Sequence, residues 1–187
     1  LSFTRPSTRI RVVRASATTY RRTMPATLDQ IEGFFTARRL KYRRDKDQIV
    51  TGFETHRFRD QQGRTGVAVV VRLDEDGRYL ELVAPGLYES RGCAHPAALF
   101  QVLLDITMRT KMIRFEHDPA DGEIRCTIEC PVEDGELTER QFHRMLDGLA
   151  ESVDRWHPVI SKAMDTGDVD LAVAAVGPAV GTATTTG

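Results

Sequence analysis

Cys126 and Cys130 are the first candidates for chemistry in this 187-residue chain. A pair of thiols can form a disulfide, hold zinc or cycle between redox states. The residues from Glu123 to Cys130 alternate between polar and apolar, which predicts a strand. On a strand the two sulfurs share a face but lie about 13 Å apart along it, beyond the reach of one disulfide or one zinc ion. Both are expected to be small core residues. Cys93 and His95 offer two metal ligands, but no second pair stands at a matching spacing, and His95 before Pro96 reads as the entry to a helix. His143 and Asp147 sit four apart on a helical pattern, which suits a surface pair. The acidic runs Asp74-Glu75-Asp76-Gly77 and Asp165-Thr166-Gly167-Asp168-Val169-Asp170 lack the distant Glu of a calcium loop and read as a hairpin tip and a helix end. No P-loop, G-x-S-x-G, H-E-x-x-H or G-x-G-x-x-G occurs. The chain is expected to be no enzyme, with no catalytic residue, metal or cofactor.

Basic residues form a second constellation. Arg38, Arg39, Lys41, Arg43, Arg44 and Lys46 could contact phosphates, which makes a nucleic-acid-associated regulator the alternative function. The charge balance weighs against it. The whole chain has 26 Lys and Arg against 27 Asp and Glu, a net charge of −1. Six arginines with no acid fall within residues 1–24, and residues 171–187 are uncharged, so the stretch between them is net −7. Arg outnumbers Lys 22 to 4 and Asn is absent, a bias that fits GC-rich coding and discounts Arg as a sign of phosphate binding. Tyr42 is the one aromatic within the cluster, so a solvated helix-to-strand edge is the preferred reading.

The elements that must position these residues follow from periodicity. Thr27-Leu28-Asp29-Gln30 reads as a capped helix start, with Leu28, Ile31, Phe34 and Phe35 on one stripe. Strands are predicted over 40–44, 48–58, 65–73 and 79–84, with turns at Asp45-Lys46-Asp47, Asp60-Gln61-Gln62-Gly63 and Asp76-Gly77. Pro85-Gly86 is expected to end the fourth strand and leave a loop over 87–94. A helix from Pro96 carries Leu99, Phe100, Val102, Leu103, Leu104 and Ile106, and is apolar enough to be largely buried. Two strands follow, over 112–117 and 123–130. Thr138-Glu139-Arg140-Gln141 is a capping box that opens a long helix, which Pro158 is expected to kink or shift. The order α-β-β-β-β-α-β-β-α, with short hairpins, predicts an α+β domain built on an antiparallel sheet.

This order resembles the YbjN-type proteins, whose fold is that of type III secretion chaperones. The resemblance covers about residues 25–166. Its most specific stretch runs from Leu103-Leu104-Asp105-Ile106 through Lys111-Met112-Ile113-Arg114-Phe115-Glu116 and Asp121-Gly122-Glu123-Ile124-Arg125 to Leu137-Thr138-Glu139-Arg140-Gln141-Phe142 and Trp156-His157-Pro158. An Asn is expected on the central helix near Thr107, where this chain has none. The resemblance implies an often dimeric module that binds other polypeptides or acts in regulation. The second face of the sheet points the same way. Val70, Tyr79, Val83, Leu87 and Tyr88 are apolar where a helix-free face should be polar, and are the candidate partner-binding residues. The leading expectation is a non-enzymatic, chaperone-like or adaptor protein, a homodimer or holder of a protein client.

Residues 1–24 are expected to be a disordered or leader segment, residues 25–168 the folded domain and residues 169–187 a disordered tail. No apolar run reaches the roughly 18 residues of a membrane span. The expected compartment is cytoplasmic, or an organelle stroma if the Arg- and Ser-rich leader is a transit peptide.

Overall fold

The computed structural model describes residues 25–169. The leader segment expected over residues 1–24 and the tail from residue 170 lie outside the described residues. Six strands form one sheet: β1 (Tyr42–Asp45), β2 (Gln48–Phe53), β3 (Val67–Asp74), β4 (Tyr79–Glu89), β5 (Arg114–His117) and β6 (Glu123–Pro131). Their order across the sheet is β1-β2-β3-β4-β6-β5, and each neighbouring pair is antiparallel. Among the described residues the α-helices are α1 (Leu28–Ala37), α2 (Pro96–Arg109) and α3 (Glu139–Thr166). The expected α+β order is the one observed.

Local chemistry accounts for the helix ends. Thr27 accepts a hydrogen bond from the Gln30 amide at the start of α1. The Gln30 side chain does not reach back, as a capping box requires, but donates to the Leu137 carbonyl at 3.0 Å. At the start of α3 the box is complete, with Thr138 and Gln141 satisfying each other's amides. Pro96 fills the first position of α2, where its missing N–H costs nothing. Gly167 ends α3 in the left-handed conformation at φ 70°. α3 continues through Pro158 as one helix of 28 residues.

The core lies between one face of the sheet and the helices. Ile49, Val67, Val69, Val71, Leu80, Leu82, Ala84, Ile124, Cys126 and Ile128 come from the strands, and α3 adds Phe142, Leu146, Leu149, Val153, Trp156 and Ile160. The alternation read from β3 is the alternation observed.

Most strand bounds fall within two residues of expectation, but two strand ends and the burial of one helix differ more. β2 stops at Phe53, because the chain turns to bury Phe58 and leaves residues 54–66 as a loop closed by an Arg59–Thr65 bridge. β4 does not end at Pro85-Gly86. Ala84 lies opposite Cys126 and Tyr88 opposite Ile124, so two extra residues of β4 loop out and the strand resumes. Gly86 takes φ 62°, which lets it resume, and Pro85 sits where no ladder donor is needed. Finally, α2 is not largely buried. It sinks Ala98, Leu99, Val102, Leu103 and Ile106 into the core and leaves its outer side in solvent.

Candidate protein-binding surfaces

The groups that could carry covalent or metal chemistry are held apart or occupied. All three cysteines are free thiols. Burial pushes the Cys126 thiol well up, so its reactive thiolate is disfavoured. His143 is buried with Nε2 at 3.1 Å from the Phe34 carbonyl, while Asp147 pairs with Arg38 at 2.8 Å. The expected surface pair between them is therefore not formed; each ties α3 to the segment around the end of α1. Among the described residues no three His, Cys, Asp or Glu side chains converge as metal ligands, and no helix is long and apolar enough to cross a membrane. Thr107 donates to the Leu103 carbonyl of its own helix at 2.9 Å.

The strand register defines the second face of the sheet. One row crosses it as Arg43, Val50, Val70, Val83, Thr127 and Arg114, and the next as Asp45, Gln48, Arg72, Glu81 and Glu129. Its hydrophobic members, Val50, Val70 and Val83, stand outside the core cluster that the helices complete. Val83 and Thr127 are nonetheless buried, at the centre of a field of longer side chains. Arg114 bridges Glu116 and Glu129, Arg72 faces Glu81 at 3.6 Å, and Tyr79 donates to Glu129 at 2.9 Å. The Arg114 hydrogen bond holds the Glu129 carboxyl pKa below its ordinary value, while burial pushes that of Glu81 up. The five candidate residues do not share this face. Val70, Tyr79 and Val83 are on it: Val70 and Tyr79 are half-buried, Val70 stands opposite Val83, and Glu81 lies between Tyr79 and Val83 along β4. Tyr88 pairs with Ile124 on the helix side, and Leu87 is in the core cluster. The local sequence hides this, because Pro85-Gly86 has the pattern of a strand end rather than of a bulge.

Tyr88 instead anchors the 54–66 loop. Its hydroxyl lies 3.1 Å from His157 Nδ1, and the two rings stack with centroids 5.9 Å apart. The Phe58 ring meets both edge-on. Asp154, one turn before His157, accepts the amides of Arg57 and Phe58 at 2.7 and 2.9 Å. Burial and the nearby Arg59 lower the His157 pKa against the opposing pull of Asp154, so the neutral ring is the folded form. A neutral Nδ1 can accept from the Tyr88 phenol; a protonated one cannot. The sign follows from linkage. A base whose folded pKa is depressed takes up protons more readily when unfolded, so stability falls as pH drops below the ordinary histidine value of 6.5. Urea midpoints measured from about pH 8 to about pH 5 are expected to decline for the native chain and to decline less for His157→Phe. Parallel declines would show that His157 is not the group responsible.

The basic cluster is divided by the fold. Arg38 is engaged with Asp147, and Arg44 with Asp29 and Glu32 of α1. Arg43 reaches only the adjacent Asp45, at 3.8 Å. Arg39, Lys41 and Lys46 form no ion pair among the described residues and flank β1, one of the two edge strands of the sheet. The six charges therefore do not form one continuous patch.

The most exposed large hydrophobic side chains belong to α2 and the turn after it: Leu104 at 72%, Met108 at 76% and Met112 at 55% of full exposure. Leu104 and Met108 are one turn apart on one side of the helix. Asp105 and Arg109 flank them, and neither has an ion-pair partner among the described residues. That the helix is apolar over much of its surface is visible in the sequence; that the side carrying Leu104 and Met108 faces solvent is not.

No protein-family model matches the chain, and no curated protein matches it in sequence. Its architecture, an antiparallel sheet with helices on one face, is an established one among solved structures. YbjN from E. coli has it, with a TM-score of 0.51 at 11% identity, over 75% of this chain and 93% of that one. Two further structures are the HopA1–SchA chaperone–effector complex, at TM-score 0.47 and 13% identity over 71% of this chain and 98% of that one, and the ExsC–ExsE complex, at 0.45 and 16% over 69% and 92%. The likeness to YbjN shows the fold expected from the sequence, and the fold alone.

Proposed function

We propose that this chain is a non-enzymatic protein-binding module, chaperone-like or adaptor in kind, that works as a homodimer. The observation that carries the reading is the exposed side of α2. A protein with a filled core holds Leu104, Met108 and Met112 in water, and such a stripe is stable in solution when another surface covers it. A second copy suits it. Two α2 helices packed antiparallel across a two-fold axis bring Leu104 against Met108 twice, and set Asp105 of each near Arg109 of the other. A client polypeptide is assigned to the sheet's second face around Val70 and Tyr79, with Val83 as the buried floor. The cytoplasm suits three free thiols.

Size-exclusion with light scattering tests the dimer. The native chain is expected at twice the monomer mass, and Leu104→Asp with Met108→Asp at the monomer mass with an unchanged melting curve. A native chain that is monomeric at every concentration overturns the dimer. Affinity capture from the native source tests the client: a partner recovered by the native chain and lost on Val70→Asp supports the assignment, and equal recovery by both removes it.

A further inference from the structure

We infer that the outer edge of β1 binds an extended acidic polypeptide segment by adding it to the sheet as a seventh strand. This rests on the protein-binding reading above and names the class of segment bound. β1 pairs with β2 on one side and with no strand on the other among the described residues. Its outward N–H and C=O groups can therefore pair with an incoming extended chain. Charge decides which chain. Arg39 and Lys41 precede the strand, Lys41 directly, Arg43 lies within it and Lys46 stands in the hairpin turn after it; all four are exposed. Among the described residues Arg39, Lys41 and Lys46 have no ion-pair partner, although the stretch around them is net acidic and the neighbouring Arg38 and Arg44 both have one. Lysines on an edge repel neutral and basic strands. The same cations attract an acidic one, so the edge is selective rather than closed.

Backbone conformation adds a second argument. Arg39 has φ 54° and Lys46 φ 56°, left-handed positions where glycine is favoured. Arg39 follows the end of α1, a place where glycine is the usual residue. Two cations thus occupy positions that cost stability and bring no ion pair in return, as happens where a site needs the side chain. Phosphate recognition would use the charges but not the strand edge. The coincidence of unpaired cations with an unpaired edge favours a polypeptide over nucleic acid.

The test uses the full chain and fluorescence anisotropy with a labelled peptide of alternating Glu and Thr. Its comparators are an alternating Lys and Thr peptide, the Glu peptide interrupted by two central prolines, and a single-stranded oligonucleotide of equal length. The Glu peptide is expected to bind at low salt, to weaken about tenfold or more at about 0.5 M salt, and to protect the β1 amides from hydrogen exchange. The Lys peptide and the proline-interrupted peptide should not bind. Arg39→Gly with Lys46→Gly should weaken binding about tenfold while keeping or raising the melting temperature, since both changes relieve left-handed strain. A merely structural role for these residues predicts no loss of binding. The inference is overturned if the Glu peptide does not bind, if the proline-interrupted peptide binds equally, if the glycine variant binds as well as the native chain, or if the oligonucleotide binds more tightly. None of these outcomes touches Leu104, Met108 or Val70, so the dimer and client assignments stand or fall by their own tests.

Discussion

Trp156→Ala is expected to destabilise the domain by about 3–5 kcal/mol, the range for emptying a large aromatic site in a packed core. Trp156 is 2% exposed and heads the fully buried side chains by volume. It lies in α3, the helix that packs against β3, β4, β6, α1 and α2, so the cavity would open where most of the elements meet. A single domain is stable by about 5–15 kcal/mol, so the loss is a large share of the total and the variant should be partly unfolded at physiological temperature. The Arg155 guanidinium, 5.6 Å from the ring centroid, is partly exposed and adds little. Urea denaturation followed by circular dichroism reads the effect; fluorescence cannot, because Trp156 is the chain's one tryptophan. Trp156→Phe should fall between the two. A loss under about 1 kcal/mol for the alanine variant would mean that the site collapses around the gap, contrary to the packing described.

Gly77→Ala is expected to cost about 3 kcal/mol or more, from a single added methyl group. Gly77 lies in the β3–β4 turn at φ 85°, a conformation costly to other residues by about 1–2 kcal/mol. A Cβ there would stand 2.1 Å from the Ala26 carbonyl oxygen, and that neighbour is backbone that cannot rotate away. Ala26 is itself pinned, because its amide donates to the Gly77 carbonyl at 3.0 Å. The clash would therefore detach the chain leading into α1 from the hairpin tip. Gly63→Ala is the control. Gly63 has φ 75° but open space around its would-be Cβ, so that variant bears the conformational cost alone. If the two variants melt together, the contact with Ala26 contributes nothing.

These two sites differ in how far the sequence announces them. Trp156 falls on the 3–4 stripe of Phe142, Met145, Leu146, Leu149, Val153 and Ile160, so its burial is legible from periodicity. Gly77 reads as a turn glycine, but nothing in the local sequence places Ala26 against it, 51 positions away. The same division runs through the candidate surfaces. The basic run 38–46 is plain in the sequence. Its partition into paired Arg38 and Arg44 and unpaired Arg39, Lys41 and Lys46 depends on acids contributed by α1 and α3.

The sequence alone determined the element types, their order, the alternation of β3, β4 and β6 and the α+β class. It did so because those properties rest on short-range periodicity, caps and turns, each contained in a few residues. Only the tertiary structure decided which apolar residues stay exposed to solvent. Leu104 and Met108 look as buried as Leu99 and Leu103 in the sequence, while Leu87 and Tyr88 look like loop residues free to bind. The assembled sheet reverses this: α2 has only one side to pack against, and β4 runs on through its bulge to carry Tyr88 into contact with His157. Burial depends on what is adjacent in space, and that adjacency is set by long-range strand pairing and helix packing, which no local pattern encodes.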